Sequence, residues 1–114
     1  MRKSTNLMIA GALLLAGSSL YGQGKKGGAT GDAAKGKGVF DQNCAVCHNA
    51  DSAEVKMGPG LKGLFKKDKM TNDKKPTEAN VRGKIDEGGN GMPQYKDMLS
   101  DSDKDDLVAY LKTL

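Results

Sequence analysis

Tryptophan is absent from this 114-residue chain, and aromatic residues make up only 4% of it: Phe40, Phe65, Tyr21, Tyr95 and Tyr110. So short a domain buries a modest fraction of its surface, and few large rings are on hand to fill the middle. Cysteine occurs twice and histidine once, which excludes a disulfide-dense scaffold and a histidine-rich metal cluster. With 28% charged residues the chain is not a polytopic membrane protein. Something besides side chains is expected to occupy the centre of this fold.

The first 22 residues read as a secretory signal peptide. Arg2 and Lys3 precede an apolar run from Leu7 to Leu20, which is too short for a comfortable membrane span and ends near the small residue Gly22. The alternative is an uncleaved segment that tethers the protein to the membrane. Residues 23–31, rich in Gly and Lys without apolar periodicity, read as a flexible tether, and residues 32–114 as the folded domain. Loss of Arg2 and Lys3 lowers the basic count from 18 to 16 against 14 acids, leaving +2. That is too little for nonspecific nucleic-acid binding, so nucleic acid is not an expected partner.

Helical signals dominate the domain. Asp32 can cap a helix running to about Asn43, with Gly36, Phe40 and Cys44 at spacing four and Val39 widening the stripe. A loop-rich middle from Asn49 to Lys75 carries Gly58, Pro59, Gly60 and Gly63, with one short helical turn expected around Leu61, Leu64 and Phe65. Pro76 and Thr77 open a second helix with Val81 and Ile85 on one face, closed by Gly88 and Gly89. Ser100 and Asp103 resemble a capping box for a last helix, whose Leu107, Tyr110, Leu111 and Leu114 repeat at i, i+3, i+4 and i+7 as a buried stripe. No alternating strand pattern and no internal repeat occur. The expectation is all-α.

Both cysteines and the only histidine fall within five residues, Cys44-Ala45-Val46-Cys47-His48. On a helical turn, spacings of three and four bring these side chains to one face. Two thiols can then add across haem vinyl groups while the adjacent imidazole reaches iron, and the pattern is the c-type haem attachment signature. A structural zinc site would need a fourth ligand, and a thioredoxin-like pair would need a βαβ context. A plain local disulfide is the bland alternative.

With His48 the only histidine, ligation by two histidines within one chain is excluded. The second axial ligand must be a Met, a Lys, the N-terminal amine, water or an external molecule. Met57 lies nine positions from His48, a short path to the opposite haem face, and Met70 sits among Lys66, Lys67, Asp68 and Lys69, where burying a thioether is hard. Met98, at the approach to the last helix, is expected to pack as a core residue. Met92 follows Gly88, Gly89 and Gly91 and precedes Pro93, a context that permits close approach and then fixes the backbone.

From Asp32 to Leu114 the chain resembles class I cytochrome c, a family of small single-haem electron carriers. Gly36 and Phe40 match the small and aromatic pair of that family's first helix, and Leu107 and Tyr110 the apolar and aromatic pair of its last. Gly58-Pro59-Gly60-Leu61 resembles the family's proline loop, and Gly91-Met92-Pro93 its distal-ligand loop. The resemblance implies a small cytochrome c fold, about three main helices and loops wrapped around one covalently bound haem c. It implies thioether links at Cys44 and Cys47, axial iron ligands His48 and Met92, and Pro59 and Leu61 against the haem, the Pro59 carbonyl receiving the imidazole hydrogen bond. The Gly/Lys-rich stretch before Asp32 is outside the family pattern.

His/Met ligation fills both axial positions, so the expected function is one-electron transfer rather than catalysis, in a monomer that is periplasmic or otherwise exported. Expected partners are redox proteins: a dehydrogenase, a cytochrome complex or a terminal oxidase. The alternatives are an accessory subunit of a periplasmic dehydrogenase, or a gas sensor or peroxidase-like enzyme in which Met92 dissociates. Lys56 to Lys75 holds seven Lys against Asp68 and Asp73, and Asp97 to Leu114 holds five Asp against Lys104 and Lys112. These runs of +5 and −3 suit a dipole that orients a redox partner, or are merely solvated surface.

Overall fold

A computed structural model describes residues 31–114. The signal peptide expected at 1–22, and all of the tether expected at 23–31 except Gly31, lie outside the described residues. Three α-helices follow one another: α1 (Ala33–Asn43), α2 (Glu78–Glu87) and α3 (Asp101–Leu111), with a 3₁₀ turn at Leu64–Lys66 inside the long α1–α2 connection. Among the described residues the sole strand-like feature is an isolated bridge between Gly89 and Met92. None of these helices is long and apolar enough to cross a membrane.

Each helix begins on a side-chain cap. Asp32 accepts from the backbone N–H groups of Ala34 and Lys35, Thr77 from that of Asn80, and Ser100 and Asp103 form a reciprocal capping box in which Asp takes the place usual for Glu. α1 packs on α3 at Gly36. A Cβ there would collide with the carbonyl oxygen of Asp106 and stand 2.8 Å from the Tyr110 Cβ, so the crossing exists because residue 36 has no side chain. One turn on, Phe40 is buried and its ring meets Tyr110 at 5.5 Å and 55°. The Asp32 N–H also donates to Asp106 Oδ1 at 2.7 Å, bolting the start of α1 to the middle of α3.

The α3 stripe differs from its sequence pattern. Leu107 and Leu111 are buried as expected, Tyr110 and Leu114 are half-buried, and Val108, Lys104 and Asp106 are buried as well. Asp106 is covered by α1, whose Asp32 N–H it accepts, while α2 also packs on α3 and is held there by charge. Arg82 pairs with Asp101 and Asp105, Lys112 with Glu78, and Lys104 with Asp86 at 2.8 Å. The acidic segment at the chain's end thus fastens α2 through two of its five aspartates, Asp101 and Asp105. Its Arg82 partner is absent from a count confined to residues 97–114, so the acidic pole is weaker than that count.

The Lys104 ammonium is almost inaccessible and also donates to the Lys96 carbonyl. Its bond to Asp86 holds its pKa above the ordinary value. A raised lysine pKa contributes stability that is complete below the unfolded value and is lost as pH climbs through the folded one. Asp86→Asn leaves this cation with only the Lys96 carbonyl and Asp101, whose Oδ1 is 3.6 Å away, so the denaturation midpoint at neutral pH should fall, with a smaller fall above the range in which Lys104 titrates.

The candidate haem site

α1 ends at Asn43, and Cys44 is its C-cap. The chain nonetheless winds one further turn, because the N–H groups of Cys47 and His48 both donate to the Cys44 carbonyl, at 3.1 and 2.9 Å. The relation among Cys44, Cys47 and His48 read from the sequence therefore survives past the helix end. Cys44 and Cys47 are unbridged and half-buried. Burial, aided by the neighbouring Cys47, pushes the Cys44 thiol up to about 11. A thiol in such apolar surroundings is kept neutral.

The loop from Gly58 to Leu61 turns back under this motif. His48 Nδ1 lies 2.8 Å from the Pro59 carbonyl oxygen, and because a carbonyl only accepts, Nδ1 carries the ring proton. The lone pair is then on Nε2, the atom left to bind a metal. Gly58 makes this possible. A Cβ at 58 would stand 2.5 Å from His48 Cε1 and 2.9 Å from Nδ1, so the imidazole rests directly against bare backbone. Bonds from Gly58 N–H to the Cys47 carbonyl (2.7 Å) and from Leu61 N–H to the Asn49 carbonyl (2.8 Å) fix the loop.

On the other side, four successive residues have positive φ: Gly88, Gly89, Asn90 and Gly91. Gly89 and Met92 exchange both backbone hydrogen bonds across the pair Asn90-Gly91. Positive φ at both central positions is what a type I′ turn requires, and Asn-Gly is its preferred pair. That dipeptide is a turn signal in the sequence beyond the glycine content alone. Lys84 Nζ braces the start of the turn by donating to the Gly88 carbonyl at 2.8 Å. Tyr95, buried just after it, donates its hydroxyl to the Asn43 carbonyl at 2.9 Å. This bond ties the Met92 loop to the residue before Cys44, a link the spacing of residues does not reveal.

Between these two loops lies a cavity of about 480 Å³, within the roughly 300–1,000 Å³ usual for cofactor sites. Cys44, Cys47, His48, Pro59, Leu61 and Met92 all line it. Its walls are the core itself: Phe40, Leu64, Val81, Ile85, Leu107 and Leu111 face it. The hydrophobic core is built around a space rather than filling one.

Two methionines depart from expectation. Met98, expected in the core, is 64% exposed because Tyr95 and Leu99 take the inward positions of the turn before α3. Met70, for which burial looked hard, is half-buried against the core and lines the cavity. Its lysine neighbours Lys66, Lys67 and Lys69 stay exposed. A turn closed by bonds from Met70 N–H to the Lys74 carbonyl and from Asp73 N–H to the Met70 carbonyl holds the thioether against the core.

The donor set and the lining fit a flat, apolar, covalently attached metal macrocycle. Two thiols stand beside an imidazole with a fixed tautomer, a thioether lies on the same cavity, and no group of three or more His, Cys, Asp or Glu among the described residues offers a rival metal site. These are the features of a monohaem c-type protein. The family model described as cytochrome c matches residues 33–114, and the chain belongs to that family, in its class I monohaem branch, with one covalently attached haem c and its iron. It is 38% identical over 80 residues to cytochrome c6 of Synechocystis, an alignment covering 70% of this chain and 63% of the relative, so it spans less than two thirds of that protein. Cytochrome c6 of Leptolyngbya boryana is 34% identical over 80 residues, 70% of this chain and 89% of the relative. The solved cytochrome c6 of the diatom Phaeodactylum tricornutum superposes with a TM-score of 0.58 at 26% identity, over 73% of this chain and 93% of that one.

Proposed function

We propose that this protein is an exported one-electron carrier, not an enzyme, in which Cys44 and Cys47 hold the haem by thioether bonds and His48 and Met92 are the axial ligands. The observation that carries this reading is the placing of His48 and Met92 on one apolar cavity, with the His48 proton committed to Pro59. Haem iron supplies reversible exchange of one electron between its ferric and ferrous forms. Around it, His48 is held in a single tautomer, Met92 is delivered by a tight turn, and the apolar walls exclude water. Ligation by His48 and Met92 together would raise the reduction potential and would leave the iron no site for peroxide or oxygen.

Maturation with the full leader in a host that assembles c-type haem tests the attachment. The haem should stay on the chain through denaturing electrophoresis, and the mature N-terminus should fall near residue 23. Haem that extracts into acidified organic solvent contradicts the thioether assignment, and an N-terminus at residue 1 replaces export in soluble form by a membrane tether.

Partner encounter should be steered by the lysine-rich connection. Lys62, Lys66, Lys74 and Lys75 are exposed there and have no ion-pair partner among the described residues, whereas Lys69 is paired with Asp73. Electron exchange with an acidic redox protein should slow as salt rises and should drop in the Lys62→Glu, Lys66→Glu double variant. Equal rates at low and high salt would reduce these lysines to solvated surface.

A further inference from the structure

Four large apolar side chains are conspicuously exposed among the described residues: Val46 at 66%, Val55 at 75%, Met57 at 76% and Met98 at 64%. Three of them belong to one place. Val46 lies inside the haem-attachment motif, and the loop carrying Val55 and Met57 is drawn onto that motif by the bond from Lys56 Nζ to the Ala45 carbonyl at 2.9 Å. Met57 Sδ lies 3.9 Å from Cys47 Sγ and borders the cavity mouth. Met98 is remote from it, beside Asp86, Glu87 and Asp97.

We infer that Met57 is a site of reversible oxidation whose sulfoxide form slows electron exchange by making the haem-edge surface polar. This rests on the electron-carrier reading. The oxidant is a hydroperoxide such as hydrogen peroxide. A lone pair on Met57 Sδ attacks one oxygen of hydrogen peroxide, the O–O bond breaks, and the departing hydroxide takes the proton from the sulfur-bound oxygen, leaving the sulfoxide and water. Sulfur is oxidised by two electrons, peroxide is reduced by two, and a thiol-dependent sulfoxide reductase returns the thioether.

Accessibility decides which methionines react. Met57 and Met98 expose their sulfur-bearing chains, whereas Met70 and Met92 are half-buried on the cavity. Location decides which reaction matters. At Met57 a flexible apolar side chain becomes a strong hydrogen-bond acceptor in van der Waals reach of the attachment sulfur, in the middle of an apolar patch. A partner that docks there must strip water from the new dipole, a cost absent from the thioether form. At Met98 the same change falls among carboxylates that are already hydrated.

The four methionines of the described domain lie in four different tryptic peptides, because lysines separate them: residues 57–62, 70–74, 85–96 and 97–104. Holoprotein is treated with graded hydrogen peroxide, and each peptide is weighed for added oxygen. Residues 57–62 and 97–104 should gain it first, with the far-red band of the ferric protein still intact. The second-order rate of exchange with a redox protein is then measured in two single variants that each leave one exposed methionine. Peroxide-treated Met98→Leu, which keeps Met57, should exchange severalfold more slowly than before treatment, and a methionine sulfoxide reductase should restore the rate. Peroxide-treated Met57→Leu should exchange as it did untreated. An unchanged rate in treated Met98→Leu despite oxygen on residues 57–62, or oxidation of residues 85–96 before 57–62, overturns the inference. Failure of the untreated protein to cycle with a small inorganic redox probe would instead count against the carrier reading itself.

Discussion

In the holoprotein, Met92→Ala should abolish the weak far-red absorption that marks sulfur bound to ferric iron, and should open the iron to CO and cyanide. The reduction potential should fall with it, since loss of the thioether removes the ligand that favours ferrous iron. Met98→Ala should change none of these, because that side chain is 64% exposed and outside the cavity. The rival is Met70, the other cavity-lining thioether held partly inside. If Met70→Ala abolishes the band and Met92→Ala spares it, the axial assignment passes to Met70.

The attachment residues and the methionines differ in how far the sequence alone reveals them. Cys44, Cys47 and His48 are legible because the covalent and coordinate attachment proposed for them needs fixed residue types at fixed local spacing. Caps are legible for the same reason: Asp32, Thr77 and Ser100 act on backbone groups two or three residues away. The methionines are harder. Whether Met70 or Met98 turns inward depends on a turn at Asp73 and on competition with Tyr95 and Leu99, which are tertiary facts. The Tyr95–Asn43 bond spans 52 residues and leaves no periodic trace. The charge pattern misleads for a related reason. A run of aspartates in α3 reads as surface or as helix-dipole complement, and Arg82, a residue in another helix, turns two of them into fasteners.

Two glycines of α1, two positions apart, should respond in opposite directions to the same substitution. Gly36→Ala should destabilise the holoprotein, because the new Cβ meets the Asp106 backbone, which cannot swing aside as a flexible side chain would. Gly36→Leu should cost more, at least the ~1–3 kcal/mol typical of overpacking, while the haem stays attached. At Gly38 a Cβ would meet nothing within 4 Å. Gly38→Ala should therefore gain up to about 1 kcal/mol from helix propensity alone. Denaturant midpoints of the three variants decide between these effects. An unchanged midpoint in Gly36→Leu would mean that α1 and α3 do not cross at residue 36, and equal shifts in the two alanine variants would show that helix propensity outweighs the crossing.

The most direct test of the carrier itself is the visible spectrum of the purified ferrous holoprotein before and after CO is added. Two protein ligands on the iron predict a spectrum that CO leaves unchanged at neutral pH. A rapid shift to a CO-bound spectrum would mean an open or labile sixth position, and would contradict electron transfer through a closed His48/Met92 site in favour of a sensor or an enzyme.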